Sequence, residues 1–166
     1  MIIVGIDNGL DGGLAAISCH NGDLIDRIKM PTKKVGKKRE VDALSVYRWL
    51  CDLHSPYILA IEEPLPHAKS SAAVRSMALS FGKLVGMAES RVQEVVRVQV
   101  REWQKEMLGK VPRGETKAFA LREASRLCPD ENWLGSERAK KPHDGIIDAF
   151  LIARHHWHKH ERTRQP

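Results

Sequence analysis

The sequence predicts an α/β protein with a five-stranded mixed sheet flanked by helices. Apolar runs typical of buried strands recur along the chain, and amphipathic segments of helical period lie between and after the later runs. The first three runs are joined only by short turns. Short turns join antiparallel strands, whereas strands separated by helices pair in parallel. We therefore expect three antiparallel N-terminal strands followed by parallel strands.

The N-terminal strands are predicted by apolar runs and by the turn residues between them. Residues 2–6 form a continuous apolar run that ends in Asp7, which is typical of a strand buried on both faces. Residues 8–13 form a turn, and a second strand is expected over 14–19. The pair Asn21-Gly22 is a strong hairpin signal. A third strand is expected over 24–30.

The rest of the chain alternates predicted helices and strands. Residues 33–39 form a basic loop. Helices are expected over 41–53, 70–91, 101–108 and 115–127, and strands over 57–61 and 95–98. A loop over 128–141 leads into a last helix, from His143 to about His158. We expect one domain over 1–158 and a polar, frayed C-terminal tail over 159–166.

Length and composition argue against several classes of protein, including membrane-spanning, secreted and disulfide-rich proteins. The 166 residues suffice for one domain, and no apolar run reaches the roughly 20 residues of a membrane span. The start, MIIVGID, lacks the features of a signal peptide, so a cytosolic protein is expected. Three separated cysteines favour buried free thiols over a disulfide framework or a zinc site. The formal net charge of +6 favours an acidic partner, of which nucleic acid is the commonest.

Four carboxylates occupy positions that need an explanation. Asp7 and Glu62 each follow a buried run, which is costly unless the charge is paired or bound to metal. Asp144 and Asp148 are four residues apart in the last predicted helix and share one face. Oxygen ligands select hard cations such as Mg²⁺ or Mn²⁺, and two such ions can promote phosphodiester hydrolysis. The alternative is that these acids are helix caps and surface charges, and Asp144 alone would suit a helix dipole.

Three segments resemble the motifs of RuvC-type Holliday junction resolvases, which belong to the RNase H-like superfamily. GIDNGLDGGLAAI resembles their first strand pair, AIEEP their second motif and HDGIIDAFLIA their C-terminal motif. The order and spacing fit over essentially the whole chain, and the HDGxxDA pattern is closer to the phage-borne branch. The resemblance implies a single RNase H-like nuclease domain over 1–158. It also implies an endonuclease that resolves four-way DNA junctions in recombination and repair.

The resemblance assigns roles to individual residues. It implies two Mg²⁺ ions per active site, replaceable by Mn²⁺, held by four ligands: Asp7, Glu62, Asp144 and Asp148. Lys117, in RGETK, would contact the scissile phosphate or the developing charge. Two alternatives stay open, because Glu63 also follows the strand and His143 is an alternative ligand to Asp144. Many members separate the last two ligands by three residues, whereas Asp144 and Asp148 are four apart. The helix over 70–91 resembles the dimerisation helix, which implies a homodimer that cuts two symmetry-related strands.

Basic residues suggest how branched DNA would be held. Two clusters are candidates for phosphate contacts: Lys33, Lys34, Lys37, Lys38 and Arg39 in one, and Arg138, Lys140 and Lys141 in the other. The alternative for the first cluster is a solvated, disordered charge run. The histidines at 155, 156, 158 and 160 are expected at the surface of a frayed helix end. The four tryptophans, Trp49, Trp103, Trp133 and Trp157, are expected in cores or at the dimer interface, and the alternative is that one of them stacks on an exposed base.

Other functions remain open. A sugar-kinase or chaperone-type ATPase also begins with a GIDxG turn, but 166 residues leave no room for its second lobe. The same fold could serve a nuclease for forks, flaps or RNA–DNA hybrids, because fold does not settle substrate. A branched-DNA binder without catalysis is a further alternative, which the complete acid set opposes. The expected location is the cytoplasm of a bacterial or phage-infected cell.

Overall fold

The computed structural model describes residues 1–64, 70–90 and 94–164. In chain order its elements are β1 (Ile2–Asp7), β2 (Gly13–Ser18), β3 (Leu24–Lys29), β4 (Thr32–Val35), β5 (Lys38–Val41), α1 (Ala43–Asp52), β6 (Tyr57–Glu62), α2 (Ser71–Glu89), β7 (Glu94–Val98), α3 (Val100–Leu108), α4 (Thr116–Leu127) and α5 (Asp144–Arg164).

The main sheet has five strands in the order β3-β2-β1-β6-β7. The pairs β1–β2 and β2–β3 are antiparallel, and the pairs β1–β6 and β6–β7 are parallel. The predicted mixed sheet is therefore confirmed, with β1 at its centre. A central strand is covered on both faces, which explains the unbroken apolar run at the start of the chain.

Alternation along β1 divides the interior into two cores. Ile3 lies in the core beneath α3, α4 and α5, together with Trp103 and Phe150. Its neighbour Val4 lies in the opposite core beneath α1 and α2, which also holds Leu84. Successive side chains of a strand point to opposite faces, so each strand of the sheet contributes to both layers.

The helix α5 packs on β1 at unusually short range. A Cβ on Gly5 would stand 2.0 Å from the carbonyl oxygen of Ala149 and 2.6 Å from the backbone nitrogen of Ala153. Only a residue without a side chain lets the helix backbone lie so near the strand. This contact brings the N-terminal turns of α5 to the end of β1, where Asp7 lies.

Several local predictions are wrong. The basic segment 33–39 is a β-hairpin, not a loop, and β4 and β5 pair as a separate two-stranded sheet that turns at Gly36. The helix α1 begins at Ala43, after Asp42. The long helix ends at Glu89, and Arg91 lies outside the described residues.

The C-terminal helix also differs from its prediction. It continues to Arg164 and does not fray after His158. Its added turns bind α3, because Lys159 pairs with Glu102 at 3.1 Å and Arg162 with Glu106 at 2.7 Å. The tail predicted over 159–166 is thus helical as far as it is described.

Two further expectations concern exposure. The cysteines are free, but Cys51 is exposed and Cys19 and Cys128 are half-buried, so the prediction of buried thiols is wrong for Cys51. Within residues 1–64, 70–90 and 94–164, no helix has the length and apolar character to cross a membrane.

Candidate active site

Two carboxylates lie side by side at the carboxyl ends of β1 and β6. These strands pair in parallel with Ile6 opposite Ile61, so Asp7 and Glu62 follow at equivalent positions. Ala60, two residues before Glu62, lies in the core beneath α5. Because side chains alternate along a strand, Glu62 points to the same face. The negative charge of Asp7 acts on the Glu62 carboxyl, as expected for neighbours.

The first turns of α5 bring two more carboxylates to this edge. Asp144 begins the helix and Asp148 follows one turn later on the same face. The start of the helix rests on the loop after β1, where the backbones of Gly12 and Gly145 are directly paired. A Cβ on Gly12 would lie 2.1 Å from the Asp7 carbonyl oxygen. The two glycines therefore let α5 begin beside the end of β1.

Burial and mutual repulsion raise the pKa of three of these acids. Burial raises the pKa of Asp148 to about 8, and the charges of Asp7, Glu62 and Asp144 add to the effect. Burial and then the Asp7 charge raise the pKa of Glu62 to about 7. Burial also raises the pKa of Asp7, although the Gly9 backbone N–H donates to its Oδ1 at 3.1 Å. A positive ion among these groups would favour their charged forms and so oppose these shifts.

Asp144 lies at the solvent edge of the acids and pairs with Lys117. The Lys117 Nζ, in the first turn of α4, donates to Asp144 Oδ2. This hydrogen bond, and then the Asp144 charge, raise the pKa of Lys117 above its usual value. The ammonium is 79% exposed, so it stays charged and within reach of an incoming anion.

The structure places the two alternative ligands differently from the main set. Glu62 interacts with Asp7, whereas the Glu63 backbone N–H continues the sheet by donating to the Val98 carbonyl. At the start of α5 the His143 Nδ1 accepts a hydrogen bond from the Ile146 backbone N–H at 3.3 Å. His143 thus caps the helix with this nitrogen, and burial lowers its pKa.

The donor chemistry of the acids fits a hard divalent cation. The candidate ligand atoms are carboxylate oxygens, which Mg²⁺ and Mn²⁺ prefer. Apart from Lys117 at the mouth, no cation is paired with these acids in the described part of the chain. Among the residues that the structure describes, no three His, Cys, Asp or Glu side chains already form a metal-binding cluster. Because the carboxylates repel one another, a bound cation would have to draw them together.

Two solved structures match this architecture over nearly the whole chain. Thermus thermophilus RuvC in complex with a Holliday junction substrate is 18% identical, with a TM-score of 0.65, and the match covers 98% of this chain and 97% of that one. The chain has the RuvC fold. A second Thermus thermophilus RuvC structure is 16% identical, with a TM-score of 0.63 and 98% of each chain covered. No protein-family model and no curated protein sequence matches the chain.

On this RuvC fold, two residues outside the predicted site contact Glu62. The Trp103 indole N–H, on α3, donates to Glu62 Oε2 at 2.7 Å. The buried Asn8 side chain donates to the Glu62 carbonyl oxygen. Asn8 directly follows Asp7, so its position was a signal that could have been used. The sequence predicts that Trp103 packs in a core or at a dimer interface, and no local pattern links it to Glu62.

The basic residues predicted to contact DNA phosphates lie on two exposed segments of this chain. In the hairpin, Lys33 pairs with Asp42 at 3.6 Å and Arg39 pairs with Asp11, in the loop after β1. Three hairpin lysines have no ion pair in the described part of the chain: Lys34, Lys37 and Lys38. The second segment precedes α5 and carries the exposed Arg138, Lys140 and Lys141. Both segments leave positive charge open to solvent near the acids.

The histidines and tryptophans divide between surface and core. His155 is 1% exposed and lies 3.0 Å from Glu106 Oε2, so the prediction of a surface residue is wrong for it. Trp103 and Trp133 lie in the core, as predicted, and Trp133 stacks at 4.9 Å from Phe150. Trp49 and Trp157 are half-buried at the margins of the two cores.

Proposed function

We propose that this chain is a divalent-metal-dependent endonuclease that resolves four-way DNA junctions. One observation carries the proposal: Asp7, Glu62 and Asp148 are half-buried together and repel one another at the edge of a RuvC-fold sheet. Buried charges of one sign are costly, so a chain that keeps them has a use for them. The HDGIIDA segment at the start of α5 supports a place nearer to the phage-borne members, and the proposed action is on DNA in the cytoplasm.

The proposed metal ligands are Asp7, Glu62, Asp144 and Asp148. Two Mg²⁺ ions, or Mn²⁺ in their place, would lower the pKa of an attacking water and offset charge on the departing 3′ oxygen. Asp7, Glu62 and Asp148 would supply oxygens from half-buried side chains on two strands and one helix. Asp144, at the edge, can leave Lys117 for a cation with little cost, because exposed ion pairs are weak.

The proposed role of Lys117 is to hold the scissile phosphate. Its ammonium lies at the mouth of the acidic site and is mostly exposed. A fixed positive charge at this place offsets the charge that develops on the phosphate oxygens. Attack by water on phosphorus with departure of the 3′ oxygen leaves a 5′ phosphate and a 3′ hydroxyl.

The proposed assembly is a homodimer formed through α2. Ala78, Gly82 and Gly86 recur every four residues on the exposed side of this helix, beside the 46% exposed Leu79. Small residues at this spacing allow the backbones of two helices to approach closely. A two-fold dimer would present two active sites to two symmetry-related strands of a junction.

The decisive experiment compares substrates with and without Mg²⁺. A synthetic four-way junction should be cut at paired positions, and a duplex, fork, flap and RNA–DNA hybrid much more slowly. Equal cutting of every substrate would remove junction selectivity and leave a general nuclease of this fold. If only the hybrid or only the flap were cut efficiently, that nucleic acid would be the substrate in place of the four-way junction.

A pair of matched variants tests the acidic site itself. Asp7→Asn should abolish cutting and keep junction binding, because the amide retains shape but loses the charge. Asp130→Asn removes an exposed acid outside the site and should cut like the native protein. Normal cutting by Asp7→Asn would overturn the metal mechanism.

Light scattering at micromolar concentration tests the proposed dimer. It should give the mass of a dimer, and the mass of a monomer would contradict paired incision.

A further inference from the structure

We propose that Trp103 is a positioning residue, whose indole N–H orients the Glu62 carboxylate so that Oε1 is the oxygen presented to a divalent cation. The inference rests on the proposed function, because it takes Glu62 as a metal ligand. Trp103 itself touches neither the metal nor the DNA in this assignment. It acts through Glu62.

The contact between Trp103 and Glu62 joins a fixed donor to a carboxyl oxygen. The indole nitrogen lies 2.7 Å from Glu62 Oε2, and the Trp103 side chain is 1% exposed. An indole N–H can only donate, so this bond occupies one lone pair of Oε2. Within the described residues Oε1 has no hydrogen-bond donor, which leaves it open to a cation. Hydrogen bonds to ligating carboxylates set their orientation at metal sites.

The backbone of Glu62 is held independently of its carboxylate. The Asn8 side chain donates to the Glu62 carbonyl oxygen, and Glu62 pairs with Val98 in the sheet. Loss of the Trp103 bond would therefore free the carboxylate to rotate without displacing the strand. This separation makes the contribution of Trp103 measurable.

Trp103 is in turn fixed by the C-terminal half of α5. Two acids of α3 pair with α5. Glu102, next to Trp103, pairs with Lys159 at 3.1 Å, and Glu106, one turn later, pairs with Arg162 at 2.7 Å. The buried His155 also lies 3.0 Å from Glu106. The same helix carries Asp144 and Asp148 at its other end. One helix thus holds two proposed ligands and anchors the helix that orients a third.

A conservative pair of variants isolates the donor. Trp103→Phe removes the indole N–H beside Glu62. Trp49→Phe is the matched control, because the Trp49 indole also donates to a carboxylate, Asp26 Oδ2 at 2.8 Å, outside the acidic site. Replacement of Trp103 by benzothienylalanine, which has sulfur in place of the N–H, keeps the ring volume if the phenylalanine variant does not fold.

The measurements are Mn²⁺ affinity by calorimetry, junction affinity in EDTA and cutting as a function of metal concentration. Loss of the donor should weaken Mn²⁺ binding by about 10- to 100-fold. Junction affinity in EDTA should be unchanged, and the metal concentration for half-maximal cutting should rise in parallel with the dissociation constant. Trp49→Phe should match the native protein in all three.

The outcomes separate this inference from the proposed function. If the native protein binds Mn²⁺ and cuts junctions, but both Trp103 variants bind Mn²⁺ with native affinity, only the role of Trp103 is overturned. If the native protein neither binds Mn²⁺ nor cuts, the proposed function fails and takes this inference with it. Equal weakening by Trp49→Phe would point to general destabilisation and also overturn the role of Trp103.

Discussion

Gly145 and Gly12 lie in direct backbone contact: a Cβ on Gly145 would stand 2.4 Å from the Gly12 Cα and 2.6 Å from the Asp11 carbonyl oxygen. All of these neighbours are backbone atoms, which cannot turn aside as a flexible side chain can. The start of α5, and with it Asp144, is therefore placed against the loop that follows Asp7 by the absence of two side chains.

Gly145→Ala is expected to displace the start of α5. The added methyl should cost about 1–3 kcal/mol of stability, as overpacking of a close contact does. Junction cutting at saturating metal should fall by at least about tenfold, because a misplacement near 1 Å in an active site has effects of this size. Thermal unfolding and initial cutting rates measure both. A variant with native Tm and native cutting would show that the contact is not needed.

Asp148→Asn is expected to stabilise the metal-free protein while abolishing cutting. The folded pKa of Asp148, about 8, lies above its unfolded value of 3.8. Native stability is therefore lost as pH rises from about 4 to about 8, whereas the amide variant does not titrate. The Tm of Asp148→Asn should equal that of the native protein at about pH 4 and exceed it by a few degrees at about pH 8.

The control for this variant is Asp130→Asn, which changes an exposed acid outside the site. Its Tm difference from the native protein should not grow between about pH 4 and pH 8. If Asp148→Asn behaves in the same way as this control, the Asp148 carboxyl is not held in a repulsive site.

Metal binding is expected to release protons near neutral pH. Glu62, with a pKa of about 7, is partly protonated at pH 7 in the metal-free protein, and Asp148, with a pKa of about 8, is mostly protonated. A cation binds their charged forms, so more than one proton should leave each site at about pH 7 and almost none at about pH 9.5. Calorimetry in buffers of different ionisation enthalpy counts them. A binding enthalpy independent of buffer at pH 7 would contradict the shifted values.

Lys117→Gln is expected to slow cutting more than it weakens binding. Its charge lies at the mouth of the acids, where it would act on the phosphate during reaction. The rate at saturating junction should fall by about 100-fold, with a much smaller change in junction affinity. Lys110→Gln, at an exposed position after α3, is the matched control. If Lys117→Gln instead weakened junction affinity about 100-fold and left the rate at saturating junction unchanged, Lys117 would be a binding contact only.

The hairpin lysines are expected to contribute phosphate contacts. Lys34 and Lys37 have no ion pair in the described part of the chain, so a phosphate does not compete with an existing partner. The double variant Lys34→Gln/Lys37→Gln should reduce the slope of log affinity against log salt by up to about 2. Arg48→Gln, on the exposed side of α1, should leave the slope unchanged. An unchanged slope in the double variant would assign the hairpin no contact with DNA.

The strands could be predicted because their signals are local. The apolar run before Asp7, the Asn21-Gly22 turn and the run before Glu62 each specify a strand from a few adjacent residues. The basic hairpin lacks such a pattern, since half of the residues in its strands are Lys or Arg. Its contacts join distant residues: Val41 packs in the core beneath α1 and α2, Arg39 pairs with Asp11 and Glu40 pairs with Lys83, and no local pattern contains these contacts.

The last turns of α5 were missed for the same physical reason. Their sequence, HHWHKHERTR, is polar and would fray in isolation. Partners on α3, more than 50 residues earlier in the chain, bind Lys159 and Arg162 and extend the helix to Arg164. His155 is buried at this contact, although nothing in its immediate neighbours distinguishes it from the half-buried histidines of the same helix.

The sequence by itself determined the succession of the main-sheet strands along the chain and the four candidate acids, of which two end strands and two lie in the last helix. Such features depend on side-chain periodicity and on residue type, which are properties of short segments. Only the tertiary structure decided how the acids are used: Glu62 beside Asp7 with Trp103 on its carboxylate, and Asp144 paired with Lys117. These relationships join segments far apart in the chain, and their energies depend on burial and on distance, which exist only once the sheet and α5 have packed together.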